Sequence, residues 1–380
     1  MTRFAAPLLL TTAAIAAGSS LAALTSAAPP DDWVQQLGAE SYAQRLRARH
    51  ELLAAGRDAR AALQRGRDAA DLEIRKQSAA ILNQIHHSRF ETELRRMQSA
   101  TESGQEYQLP GWTEFRRLVG DDRQSRTLFV AMTRCFRQPL AQLAGDWQEQ
   151  ASALLQRHTE TSDPDPVAWA LLLMLNQRHG EGGCLLNHHV REALNRTRIS
   201  SALQASPHAD VLRRLVAAAL ERQADRPADR IWMRIAVQWN CRPQAVALAE
   251  RATMPDRGAS PACTATALTI LARFAPDEAR PALLRALDDG RTCQVWQIVA
   301  ASRRRLKTQV SDVALAMLLY LDGVDPRSVG FADLQADPLT IYREHSLGFE
   351  DDKQRQAALE SASRAGVIPL RFVHPSGSGE

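Results

Sequence analysis

Residues 260–289, SPACTATALTILARFAPDEARPALLRALDD, place two proline-led, alanine- and leucine-rich segments in succession, and how they are read decides the fold. Proline is accepted in the first turn of a helix, where its missing N–H has no partner to lose, and is resisted in the interior. Pro261, after Ser260, and Pro276 therefore each mark a helix start. Leu268, Ile270, Leu271 and Phe274 make the inward set of the first segment, and Leu283, Leu284 and Leu287 that of the second. Further back, Pro227, Pro243, Pro261 and Pro276 lie 16, 18 and 15 residues apart, so alternate prolines are separated by 34 and 33. That is the period of stacked helical hairpins. Ala236, Val237, Trp239, Val246 and Leu248 face inward from the preceding hairpin, while Pro255 and Pro281 fall outside the period.

The same vocabulary extends toward the N-terminus. Ser41 is placed as an N-cap, Tyr42, Leu46, Leu52 and Leu53 follow at helical spacing, and Gly56 stops that helix. A short helix over Asp58–Gln64 and a longer one from Asp71 to Met97 complete an N-terminal unit over 31–98. Residues 99–110, polar and without periodicity, read as a linker. Apolar stripes at Trp112, Phe115, Leu118 and Val119, at Leu128, Phe129 and Met132, and at Leu140, Leu143, Trp147 and Leu154 define a middle helical segment over 111–160. Thr159–Pro166 breaks the pattern before the apolar run Val167–Leu175. A C-terminal repeat region then occupies 165–366, followed by a tail over 367–380. With only 5% aromatic residues and abundant Ala, Leu, Arg and Gln, which lose little side-chain freedom in a helix, the chain is expected to be all-α, with little support for β structure.

PDEARPALLRALDD, residues 276–289, resembles the second helix of a HEAT-type repeat, with a proline near its start and acidic residues at its end. LGAESYAQRLRARHELLAAGRDARAALQRG, carrying Tyr42, Arg45, Ala48, Leu52, Gly56, Ala59 and Leu63, is similar to the HEAT-like unit of exported bacterial proteins of unknown function. LPGWTEFRRLVGDDRQSRTLFVAM, DVALAMLLYLDG and LGFEDDKQRQAAL also resemble segments of such proteins. The resemblance covers about half of the mature chain. It implies an irregular α-solenoid of HEAT-like helical hairpins and transfers no activity, because the matching positions are packing and turn residues. Ser200–Ala224 and Ser302–Val310 depart from a clean repeat.

At the N-terminus, Arg3, the apolar stretch Leu8–Ala17 and the small residues Gly18–Ala28 have the order of a secretory signal peptide over 1–27, with cleavage expected near Ala27. The protein is then expected to be exported, periplasmic or extracellular, without a transmembrane segment in the mature chain. All but three of its 47 basic side chains are arginine, and the formal net charge is +4. Export removes nucleic acid as the natural partner for that charge, and most arginines alternate with Asp, Glu and Gln as on a solvated helix face. The five cysteines, Cys135, Cys184, Cys241, Cys263 and Cys293, are too widely spaced for a disulfide-stapled mini-domain. Cys263 and Cys293 precede apolar stretches that read as successive helix starts, which makes them the expected disulfide pair.

Few residues carry a chemical signature. His179, Cys184 and His188 form the best metal-ligand constellation, with His189 an alternative, but they match no zinc motif and neither a metal nor any other cofactor is expected. His86 and His87 read as surface histidines. The sequence has no nucleophile elbow, His-Glu-x-x-His, phosphate-cradling glycine loop or haem-attachment motif, and Glu102-Ser103 lacks the companion segment of a lytic transglycosylase. Arg303, Arg304, Arg305 and Lys307 form the densest basic cluster, before a helix starting near Val310. They are read either as a contact for an anionic envelope component or as a solvated interhelical turn. The expectation is a scaffold or protein–protein interaction module whose partner is a protein. The alternative is a cell-envelope enzyme acting on glycan or peptide from a helical groove.

Overall fold

The structure, a computed structural model, describes residues 29–137, 140, 148–160, 163–177, 184–223, 225–255, 258–299 and 303–372. The signal peptide expected over 1–27 and most of the expected tail lie outside them. The chain is all-α, 68% helical with seventeen α-helices among the described residues. It divides into two compact units after Thr92, inside a long helix rather than in the 99–110 stretch.

In the first unit, α1 (Pro30–Gln36), α2 (Tyr42–Ala55), α3 (Arg60–Gly66) and the start of α4 (Leu72–Ser99) enclose a core of Val34, Leu37, Ala48, Leu52, Ala59, Ala62, Leu63, Ile74, Ile81 and Leu82. The helix ends follow the sequence. Ser41 precedes α2, and Gly56 ends it at φ +53°, where a side chain would be strained. Asp71 Oδ1 accepts from the N–H groups of Glu73 and Ile74 at 2.7 and 3.0 Å and so caps α4. Gly66 lets the helices approach: a Cβ there would fall against Ser78 Oγ and 2.8 Å from Val34 Cγ1. Valine at this position gains helix propensity but overfills the crossing. Gly66→Val is expected to cost about 1–3 kcal/mol in urea unfolding of the full chain, and an unchanged midpoint would contradict the packing.

The second unit is built around three largely apolar helices that are buried on every side. In α8 (Pro166–Asn176) every residue from Ala168 to Asn176 is buried, in α14 (Pro261–Phe274) every residue from Cys263 to Ala272, and in α16 (Val310–Leu321) every residue from Val310 to Leu319. Around them run α5 (Trp112–Val119), α6 (Arg123–Cys135), α7 (Gln148–Glu160), α9 (Cys184–Asn195), α10 (Thr197–Gln204), α11 (Ala209–Glu221), α12 (Arg230–Gln238), α13 (Arg242–Ala252), α15 (Pro276–Ala286) and α17 (Asp352–Arg364). Pro166, Pro261 and Pro276 occupy first helical positions, as their sequence context demands, and Pro243 the second. Pro281 is the exception, lying inside α15. Among the described residues no helix is long and apolar enough to cross a membrane.

Two features depart from expectation. Residues 292–299 and 303–309 are not helix and interhelical turn but the two strands of a β-hairpin, β1 (Thr292–Val299) paired antiparallel with β2 (Arg303–Gln309), between α15 and α16. A smaller hairpin, β3 (Ala336–Asp337) with β4 (Ile341–Tyr342), follows α16. The cause is local. Thr292, Val295, Ile298 and Val299 are β-branched, and Arg304, Leu306 and Thr308 alternate inward with Arg305 and Lys307 outward. Cys293 therefore lies on a strand, whereas Cys263 lies in the first turn of α14.

Candidate functional site

Helix α12 presents Arg230, Arg234, Val237 and Gln238 at positions i, i+4, i+7 and i+8, one face of the helix. Arg234, Val237 and Gln238 of that face, together with Thr266 and Ile270 of α14, Asn195 and Thr197 at the α9–α10 junction and Trp296 of β1, line a cavity of about 320 Å³. Its rim is the segment around β3 and β4, contributing Asp337, Leu339, Thr340, Arg343, Glu344 and His345. The volume is at the lower end for sites that take small molecules or single side chains.

The rim is held in place from several sides. Asp337 Oδ1 accepts from the N–H groups of Leu339 and Thr340, both at 2.8 Å, closing a turn on the carboxylate. Arg273 of α14 donates to the Pro338 carbonyl, and Arg327 to that of Leu334 at 2.9 Å. Ile341 sits at φ +65°, a left-handed conformation that a β-branched residue adopts only when its surroundings impose it. Ser346 Oγ donates to the Arg343 carbonyl at 2.6 Å and accepts from the Gln335 N–H at 3.0 Å.

Each of the two carboxylates of the cavity is engaged through one oxygen. Arg230 forms an ion pair with Glu344 Oε2, Thr266 Oγ1 lies 3.4 Å from Oε1, and Arg230 Nε donates to Thr266 Oγ1 at 3.1 Å. Burial pushes the Asp337 carboxyl up, but the N–H groups of Thr340 and Leu339 and the Arg343 charge outweigh it and hold the group below the usual carboxylate range. The donors, by contrast, are open. Arg234 makes no side-chain hydrogen bond or ion pair among the described residues, and Arg343 reaches Gln335 Oε1 only at 3.5 Å. Trp296 Nε1 is buried without a hydrogen-bond partner, its ring edge-on to His345 with centroids 5.6 Å apart. An unmet buried donor costs about 1–3 kcal/mol, which a ligand acceptor would recover.

From sequence Val237 and Ile270 are read only as inward-facing packing positions, and none of the lining residues is read as part of a site. They come from five segments between positions 195 and 345, and the Arg230–Arg234 spacing alone reads as a solvated face. Of the residues that were singled out, His179 and the side chains of Cys184 and Arg303 lie outside the described residues. His188 is exposed, its Nδ1 3.0 Å from Arg191 Nη2, and no group of three or more ligating side chains lies together among the described residues.

The expected Cys263–Cys293 disulfide is not formed. Both thiols are free, Cys263 Sγ lying 3.6 Å from the Ala228 carbonyl and Cys293 Sγ 3.5 Å from that of Pro261. Burial raises the Cys293 thiol to about 12 and that of Cys241 to about 11, so neither is a ready nucleophile.

The basic cluster splits across β2. Arg304 turns to the packed side and donates to Asp333 Oδ1 at 2.6 Å and Glu350 Oε1 at 3.1 Å. Arg305 and Lys307 face solvent beside Gln297 and Val295, on the side of the hairpin opposite Trp296. Arg304→Gln is expected to lower the thermal unfolding midpoint, whereas Arg305→Gln with Lys307→Gln leaves it in place. Equal losses would show that the cluster acts as one surface.

Comparison of the chain with family models, with curated proteins and with solved structures returned no match.

Proposed function

We propose that this chain is an exported helical-repeat interaction module, an irregular α-solenoid of HEAT-like hairpins, that binds a protein partner through the cavity between α12, α14 and the β1–β2 hairpin. The observation that carries this is the asymmetry of the cavity: its donors are open while its carboxylates are engaged. Hydrolysis of a glycan or peptide would call for a carboxyl group, or a nucleophile with its base, able to exchange a proton at the scissile bond. Asp337 is held down as a carboxylate in a turn, Glu344 is paired with Arg230 through Oε2, and the lining contains neither serine nor cysteine. Such a surface binds and orients. Export is supported by the pattern of residues 1–27, and the repeat by the proline period and by helices packed on their sequence neighbours.

Crosslinking in intact cells followed by mass spectrometry tests the proposal. The expected result is an adduct to a discrete second polypeptide through residues of the second unit. Self-crosslinks alone would contradict it.

A further inference from the structure

We infer that the cavity recognises the C-terminal residue of the partner chain, its free carboxylate against Arg234 and its side chain against Val237, Ile270 and Leu339. The inference rests on the interaction-module proposal and adds to it the chemistry that is read.

Charge gives the first reason. Arg234 and Arg343 line the cavity; the Arg343 charge acts on Asp337, Glu344 is paired with Arg230, and among the described residues Arg234 has no ion-pair partner. A guanidinium binds a carboxylate through two parallel N–H donors, the geometry that favours arginine over lysine at such sites. The second reason is the balance of donors and acceptors. Arg234, Arg343 and the buried Trp296 Nε1–H are donors, while Glu344 Oε2 is paired with Arg230 and Asp337 Oδ1 is used by its turn. The complementary ligand is rich in acceptors, a carboxylate with a neighbouring carbonyl. The third reason is the apolar share of the lining, Val237 and Ile270 within and Leu339 at the mouth, 46% exposed. In a C-terminal residue the carboxylate and the side chain leave the same carbon, so one group reaches Arg234 while the other covers the apolar wall. The side-chain amides of Asn195 and Gln238 are placed to meet the last peptide unit.

Isothermal titration of the full chain with acetylated tetrapeptides ending in Leu, Val or Phe, each as free acid and as C-terminal amide, tests this directly. At least one free acid is expected to bind about tenfold or more tighter than its amide, the difference shrinking with added salt. Arg234→Gln should bring the acid to the affinity of the amide, whereas Arg305→Gln, on the opposite side of the hairpin, should leave the difference intact. Equal binding of acid and amide would overturn carboxylate recognition while leaving a peptide-binding cavity standing. Binding of none of the peptides, or tighter binding of glucuronate than of any of them, would overturn recognition of a chain terminus. The interaction-module proposal fails by a separate result, self-crosslinks alone in cells.

Discussion

Arg355→Met is expected to cost about 3–5 kcal/mol, enough to unfold the C-terminal part of the second unit under mild denaturant. Arg355 on α17 donates from Nε to Asp312 Oδ1 at 2.6 Å and from Nη2 to Asp312 Oδ2 and to the Lys307 carbonyl, both at 3.1 Å. One side chain thus ties α17 to α16 and to β2. The two side chains are only 9% and 1% exposed, so water cannot replace a lost partner. Methionine would fill much of the volume, and the cost comes from the Asp312 charge left behind. A double variant with Asp312→Asn should recover part of the loss, because it removes that charge, and urea unfolding of the two variants measures the difference.

The pH dependence carries its own sign. Burial raises the Asp312 carboxyl above its ordinary value, and the Arg355 guanidinium and the Gln309 N–H pull it partly back. A carboxyl raised in the folded state contributes stability below its unfolded value, and that contribution is lost as the pH rises through the folded value. Without Arg355 the downward pull disappears, so the Arg355→Met deficit should be largest at neutral pH and shrink on acidification. A loss below about 1 kcal/mol, independent of pH, would mean that the pair is not buried as described.

The second large effect is expected at Arg126. Its guanidinium, nearly covered, reaches Asp121 Oδ1 at 2.8 Å and the carbonyls of Ala100, Glu102 and Asp121 at 3.0, 3.3 and 3.3 Å. The other Asp121 oxygen accepts from the Gly104 N–H at 2.7 Å. This arrangement fastens the segment following α4 to the start of α6. Arg126→Met leaves a covered carboxylate and three carbonyls to be solvated, for about 3–5 kcal/mol. The local consequence should be plain in limited proteolysis, with cleavage between Ala100 and Gln108 in the variant and protection in the parent chain. Equal cleavage of both would show that Arg126 does not hold the segment.

Arg126 also illustrates where sequence stops being informative. Residues 99–110 read as a linker because they lack periodicity, yet their order comes from a side chain about 25 positions away, which no local pattern reveals. Helix ends were legible because each is fixed within a few residues: Ser41 and Gly56 about α2, Pro261 and Pro276 at first turns, the start of α16 at Val310. The β1–β2 hairpin was not. In RRRLKTQ the run of positive charge hides the alternation of Arg304, Leu306 and Thr308, and the preceding proline period suggests one more helix. The departure of Ser302–Val310 from the repeat was the available signal. The cavity is less legible still. Arg234, Trp296 and Leu339 are an ordinary surface arginine, a strand tryptophan and a loop leucine until the fold brings them together.

A photo-reactive benzoylphenylalanine placed in turn at Leu339, on the cavity mouth, and at Gln297, on the opposite face of the hairpin, tests the central claim that binding occurs in the cavity. After irradiation of intact cells, the position at Leu339 is predicted to give a discrete adduct with a second polypeptide and the position at Gln297 none. An adduct from Gln297 alone would place the partner on the Arg305–Lys307 face and contradict the account.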